Sequence, residues 1–197
     1  MLISQDERAY YTFYGIEVDD WGMTFGDLSN HHKILVKNFI SEDASTTSSS
    51  VWDSNGYKFF FPHHIKKKYY LEGVIEGQIT FTSDPISDSA QKDKDGNISY
   101  ISDFQVTLIK LNKDTTEDTL AFYKNSSVGS YGFEPYEYKV YPFWIDVYDV
   151  AQEIGENERI GIKVEWNVDN TSTTTVYLSH ENWQQGEDLK IVLPFML

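Results

Sequence analysis

The stretch Arg159-Ile-Gly-Ile-Lys-Val-Glu-Trp-Asn-Val-Asp169 alternates without interruption. Ile160, Ile162, Val164, Trp166 and Val168 are apolar, while Arg159, Lys163, Glu165, Asn167 and Asp169 are polar. Successive side chains of an extended strand point to opposite faces, so one set is expected in a core and the other in water. The same rhythm runs through Tyr69, Leu71, Ile75, Ile79 and Phe81, with Glu72, Glu76, Gln78 and Thr80 on the other side. Long amphipathic strands of this kind need a second apolar layer. The pattern therefore predicts an antiparallel β-sandwich or barrel with one wet face per sheet.

Further strands are expected at 33–40, at 57–61 (stopped by Pro62), at 68–82, at 104–111, at 119–124, at 136–145 and, beyond 159–169, at 173–180 and 188–193. The apolar phase slips after Leu108, which predicts a bulge there. Gly73 and Gly77 fall on the apolar side of their strand and predict a bend or a close backbone approach. Pro142 is expected to break its ladder. Val147, Val150, Ala151 and Ile154 recur at helical spacing between a capping Asp146 and Gly155, which predicts one short helix over 146–154. Ser41–Ser50, a polar low-complexity run, reads as an exposed loop. Residues 1–30, irregular and rich in aromatics, read as an N-terminal arm, and 31–197 as the sandwich domain. The expected fold is all-β, an antiparallel sandwich of about eight to nine strands wound as a jelly roll, plus the one helix.

The 197 residues suffice for one well-buried core: size scaling puts about 70% of the open chain's surface inside the fold. The net charge of −15, from 31 acids and 16 bases, opposes binding to phosphate backbones, so no direct nucleic-acid partner is expected. Cysteine is absent, which removes disulfides and thiolate chemistry. Met1 to Arg8 has neither a basic n-region nor an apolar h-region, and no apolar run approaches a membrane span, so neither a signal peptide nor a membrane segment is expected.

Candidate chemistry is sparse. Asp93-Lys-Asp-Gly-Asn97 opens like a calcium loop, but the sixth and twelfth positions are Ile98 and Phe104 rather than glycine and glutamate, so a turn without a metal is expected. His31, His32, His63 and His64 sit in adjacent pairs, each pair offering one inward imidazole at most, and no zinc-type spacing accompanies them. The basic run Lys66-Lys67-Lys68 reads as a solvated strand end. Glu72 and Glu76 share a face, yet four strand residues separate them by roughly 13–14 Å, beyond the span of a glycosidase pair. No nucleophile elbow, P-loop or dinucleotide fingerprint occurs. The chain is expected to be no enzyme and to carry no cofactor.

The end, Ile191-Val-Leu-Pro-Phe-Met-Leu197, is unusually apolar for a terminus. Taken with the strands Tyr70-Leu-Glu-Gly-Val-Ile-Glu-Gly-Gln-Ile-Thr-Phe-Thr82 and Glu158-Arg-Ile-Gly-Ile-Lys-Val-Glu-Trp-Asn167, the chain resembles virion structural proteins of tailed bacterial or archaeal viruses. That resemblance implies a non-enzymatic assembly protein of the virion: a capsid decoration, head-fibre or tail component, made in the host cytoplasm. Its partners would be copies of itself and other virion proteins. The interface residues expected are Tyr10, Tyr11, Phe13 and Trp21 with Phe195, Met196 and Leu197. The alternative is a carbohydrate-binding module or adhesin, in which Trp52, Tyr131, Tyr136 and Trp183 form a platform for a surface glycan.

Overall fold

The computed structural model describes residues 8–17, 33–36, 45–49, 57–61, 67–83, 100–126, 138–148, 152–169, 176–180 and 189–196. All regular structure among them is β. The strands are β1 (Arg8–Glu17), β2 (Lys33–Val36), β3 (Ser45–Ser49), β4 (Tyr57–Phe60), β5 (Tyr69–Leu71), β6 (Val74–Ser83), β7 (Tyr100–Leu111), β8 (Glu117–Asn125), β9 (Tyr138–Asp146), β10 (Gln152–Ile154), β11 (Arg159–Asp169), β12 (Val176–His180) and β13 (Lys190–Met196).

Backbone pairing runs in the order β3-β12-β6-β13-β1-β2-β4-β11-β7-β8, with β9 on the far side of β6 and the β5/β10 pair beside β13. Every pairing is antiparallel except the single β2/β4 bridge, Ile34↔Phe60. The sheet packs on itself as a sandwich, which brings edge strands β8 and β9 alongside each other. One core fills it: Phe13, Leu71, Ile75, Ile79, Phe81, Ile191 and Leu193 from one side meet Phe59, Phe104, Val106, Leu108, Ile162, Val164 and Trp166 from the other. The sandwich agrees with the alternation in the sequence; this strand order does not confirm the jelly-roll winding.

β11 buries Ile160, Ile162, Val164 and Trp166, as period two requires. It lies between β4 and β7, and part of its polar side is covered as well: Arg159 is 3% exposed and Glu165 8%. The expected wet face is partly closed here. Gly161 belongs to that closed side, because a Cβ there would stand 2.6 Å from Phe60 Cδ1 and 2.7 Å from the Phe59 carbonyl oxygen. Phe60, Ile109 and Leu111 form a second small cluster.

The segment expected as one strand over 68–82 is divided. Along β13, the pair Val192↔Glu76 gives way to Phe195↔Leu71: β13 advances three residues while its partner moves five, leaving two extra. Gly73 sits in this bulge at φ 134°, a conformation that costs a side chain dearly. Pro194 lies opposite the gap and pairs only with Tyr10 of β1. The bond from Gly15 N to Leu189 O fixes Tyr10/Pro194 as a non-bonded pair. The nitrogen that lacks a hydrogen therefore points at the bulge, where no ladder bond is required. Gly77 is the close approach the sequence suggested, since a Cβ there would meet Phe143 Cε1 at 2.6 Å.

Three expectations are corrected, on the helix, on Pro142 and on Ser45–Ser49. No helix occurs among the described residues: Val147 continues the inward alternation of Phe143 and Ile145, and Gln152–Ile154 is β10, paired to Leu71, Tyr70 and Tyr69. Asp146 does accept a bond from Tyr148 N at 2.9 Å, but as a local turn rather than a helix cap. The β9/β6 ladder runs straight past Pro142, which pairs with Gln78; β9 is an edge, and the even-numbered pairs are the non-bonded ones, so the proline forfeits nothing. Ser45–Ser49, expected as a loop, is strand β3 against β12. The arm contributes β1, which lies between β13 and β2 inside the sheet. The bulge expected after Leu108 is present, with Leu120 as the extra residue on β8.

Candidate functional site: the outward face of β9 and its neighbours

The chain-terminal aromatics turn mostly inward. Phe13 is buried and lies edge-on to Phe61, with ring centroids 4.4 Å apart. Phe195 packs with Tyr11 at 5.7 Å, with Phe13 at 6.4 Å and with Tyr69 at 4.9 Å. The cause is the antiparallel register of β1 on β13, which sets Tyr11 opposite Leu193 and Phe13 opposite Ile191. Phe195 thus finds its cover inside the chain, where the sequence suggested a neighbouring subunit. Met196 is half-buried, and Tyr10 points outward at 55% exposure. Trp21 and Leu197 lie outside the described residues, as do all four members of the expected glycan platform (Trp52, Tyr131, Tyr136 and Trp183), the Asp93–Asn97 turn and the paired histidines at 31–32 and 63–64.

A different aromatic surface is on view. Phe143 and Ile145 of β9 enter the core, so Val140, Pro142, Trp144 and Asp146 face out. Trp144 is 57% exposed and Val140 44%. The Trp144 ring reaches across to β8 and rests 4.9 Å from Tyr123, which itself packs on Phe104 at 5.9 Å. An indole held this way is both exposed and oriented. Across the β9/β6 ladder, Trp144 stands directly opposite Glu76, and Pro142 opposite Gln78. The bond from Val147 N to Gly73 O, 2.9 Å, identifies the odd-numbered pairs as hydrogen-bonded. Trp144/Glu76 is therefore a non-bonded pair, the kind that brings side chains closest. Glu76 is exposed.

A second aromatic–glutamate pair lies on the same side. Tyr70 of β5 faces Glu153 of β10, and its hydroxyl donates to Glu153 Oε2 at 3.3 Å. Here the pair is filled from within: Lys68 Nζ sits 2.7 Å from Glu153 Oε2 and 5.4 Å from the Tyr70 ring centre. The hydrogen bond to Glu153 raises the Lys68 ammonium above its ordinary pKa, and the same bond holds the Glu153 carboxyl below its own. Among the described residues no group of three His, Cys, Asp or Glu side chains is arranged to hold a metal ion. No helix there is long and apolar enough to cross a membrane.

Two of the open edges, β9 and β8, are guarded. Pro142 presents no N–H on the free side of β9, and β8 carries the Leu120 bulge with exposed Glu117, Asp118 and Lys124. Proline, bulges and charge are the standard obstacles to edge-to-edge pairing. At these two strands the face stays available. Sequence reasoning passed over Trp144, although period two would have found it: inward Phe143 and Ile145 force the residue between them outward.

No family model matches the chain, and no curated protein does. Solved structures give the fold. A CocE/NonD family hydrolase from Staphylococcus aureus superposes with a TM-score of 0.57 at 12% identity over 96% of this chain. An aminopeptidase from a marine sediment Thaumarchaeota archaeon gives 0.61 at 8% identity, again over 96%. The chain spans 37% of the length of each. These likenesses establish a shared β architecture.

Proposed function

We propose that the chain is a non-enzymatic assembly protein that works by burying its outward aromatic face against another protein, and that its setting is a virion. The observation that carries this reading is Trp144, exposed at 57% yet braced on Tyr123 and flanked by Val140 and Pro142. Large exposed apolar side chains in contiguity mark interaction surfaces, and aromatic anchors dominate the energy of such contacts. The obstacles on the β8 and β9 edges support the same reading, because beside Trp144 they favour contact through the face over edge-to-edge pairing. The virion setting draws its support from the resemblance of the long strands and apolar tail to tailed-virus structural proteins. Tyr10 and Met196 extend the proposed surface across β1 and β13.

Hydroxyl-radical footprinting tests it. Trp144 is expected to oxidise readily in the free chain and to be protected, by about tenfold or more, in purified virus particles containing the chain. Equal oxidation in both settings, or particles lacking the chain, would refute the reading.

A further inference from the structure

We infer that the Trp144–Glu76 pair is a receptor for a cationic side chain, and that the partner segment bound by this face is extended and basic. The inference rests on the assembly reading and specifies its partner. The argument is an internal comparison. Two aromatic–glutamate pairs stand directly cross-strand on one side of the sandwich, Tyr70 with Glu153 and Trp144 with Glu76. In the first, the ring face and the carboxylate together clasp the Lys68 ammonium, at 5.4 Å and 2.7 Å. In the second, no ion pair to Glu76 is present among the described residues, and the same two elements face solvent. Lys190 stands one row away, opposite Gln78.

The Trp144–Glu76 pair is the stronger of the two for a cation. Indole attracts cations better than phenol. A second carboxylate, Asp146, follows Trp144 by two residues on the same outward side of β9, so the two acids flank the indole from different directions. Adjacent outward positions on a strand lie about 7 Å apart. Alternate residues of an extended peptide have that same repeat, so a segment with a base at every second position can place one cation on Trp144/Glu76 and the next toward Asp146. The chain's charge of −15 draws a basic segment to this surface and opposes an acidic one. Because Pro142 blocks pairing along the free edge, the segment lies across the face.

Calorimetry with the whole chain and a synthetic eight-residue peptide alternating arginine and threonine tests this. The unmodified protein is expected to bind it. Glu76→Gln and Trp144→Ala, both at exposed sites and each confirmed folded by its melting curve, are expected to weaken binding by about tenfold. Lys139→Ala, elsewhere on β9, is expected to leave it unchanged. Absence of binding, or binding that survives both substitutions at full strength, overturns the inference, the latter by reducing it to diffuse attraction to an acidic surface. Binding of a neutral oligosaccharide that depends on Trp144, with no peptide binding, overturns it in favour of a glycan site. Footprint protection of Trp144 in particles without peptide binding would refute the basic partner alone. Peptide binding without protection in particles would refute the virion assembly reading alone.

Discussion

β11 and β9 obey the same alternation and end in opposite circumstances. In β11 the apolar set is in the core, and part of the polar set is buried too, with Arg159 and Glu165 nearly inaccessible and the half-buried Lys163 paired to Glu165. In β9 the apolar set divides: Phe143 and Ile145 enter the core while Val140 and Trp144 stand in water. What lies over each outward side explains the contrast. Phe60 stands against Gly161 on the polar side of β11, whereas Val140, Pro142, Trp144 and Asp146 of β9 are all exposed. Period two says which residues travel together; it does not say which face is dry. A buried charged face is stabilising only while its pairs remain intact, whereas an exposed apolar face contributes nothing to folding until something covers it. β11 thus contributes to stability, whereas the outward residues of β9 stay uncovered in the folded chain.

Substitutions at matched positions would break or sharpen this contrast. The largest effect is expected at Val164, which is fully buried at the centre of β11. Val164→Asp places an unpaired charge in the core and should eliminate cooperative unfolding in a thermal melt; a soluble variant with a normal transition would show β11 to be peripheral. Next comes a pair of identical changes in different settings. Glu165→Gln removes the carboxylate that Lys163 faces in a nearly dry environment and should cost about 1–3 kcal/mol in urea unfolding. Glu76→Gln on the exposed face should stay within about 0.5 kcal/mol. Equal costs would erase the distinction between the two faces. At neutral pH the smallest effect is expected from Tyr69, whose phenol burial raises above its ordinary value, so that its contribution shows only in alkali. The unfolded chain loses this proton near about pH 10 while the folded chain retains it. Its contribution is therefore complete below that pH and declines as pH rises further. Tyr69→Phe should remove part of the alkaline loss of stability, at most roughly 1.4 kcal/mol per pH unit, and should leave the pH dependence below about 9 unaltered.

The sandwich was readable because its long strands alternate, and the bulge near Leu108 because the apolar phase visibly slips. Gly77 was readable as a close approach for the simple reason that a glycine on an apolar strand face needs one. The failures also have causes. Val147 and Ile154 satisfy helical spacing by accident: the first continues the alternation of Phe143 and Ile145, and the second belongs to β10, a strand fixed by tertiary pairing with β5. Ser45–Ser49 has no apolar face to announce a strand, and β3 is specified by the backbone groups that β12 offers it. Pro142 reads as a breaker unless the strand is known to be an edge. Inward packing of Phe195 depended on β1 and β13 meeting, a contact between opposite ends of the chain that no local window contains. The aromatic–glutamate pairs were hidden for the same reason, since each is joined across strands.

That meeting of β1 and β13 also sets a clock. Ribosomes emit roughly 5–20 residues per second, and about 170 residues separate the end of β1 from the start of β13. At that pace β1 waits roughly 10–35 seconds for the strand that completes it. During this time Tyr11 and Phe13 lack the partners that β13 supplies, Leu193, Ile191 and Phe195, although β2 and Phe61 are already made. Closure is thus a late event in synthesis and a slow one, because it joins residues of large sequence separation. A nascent chain of this design favours an unhurried translation rate, and its yield should respond to chaperone supply more steeply than its finished stability would suggest.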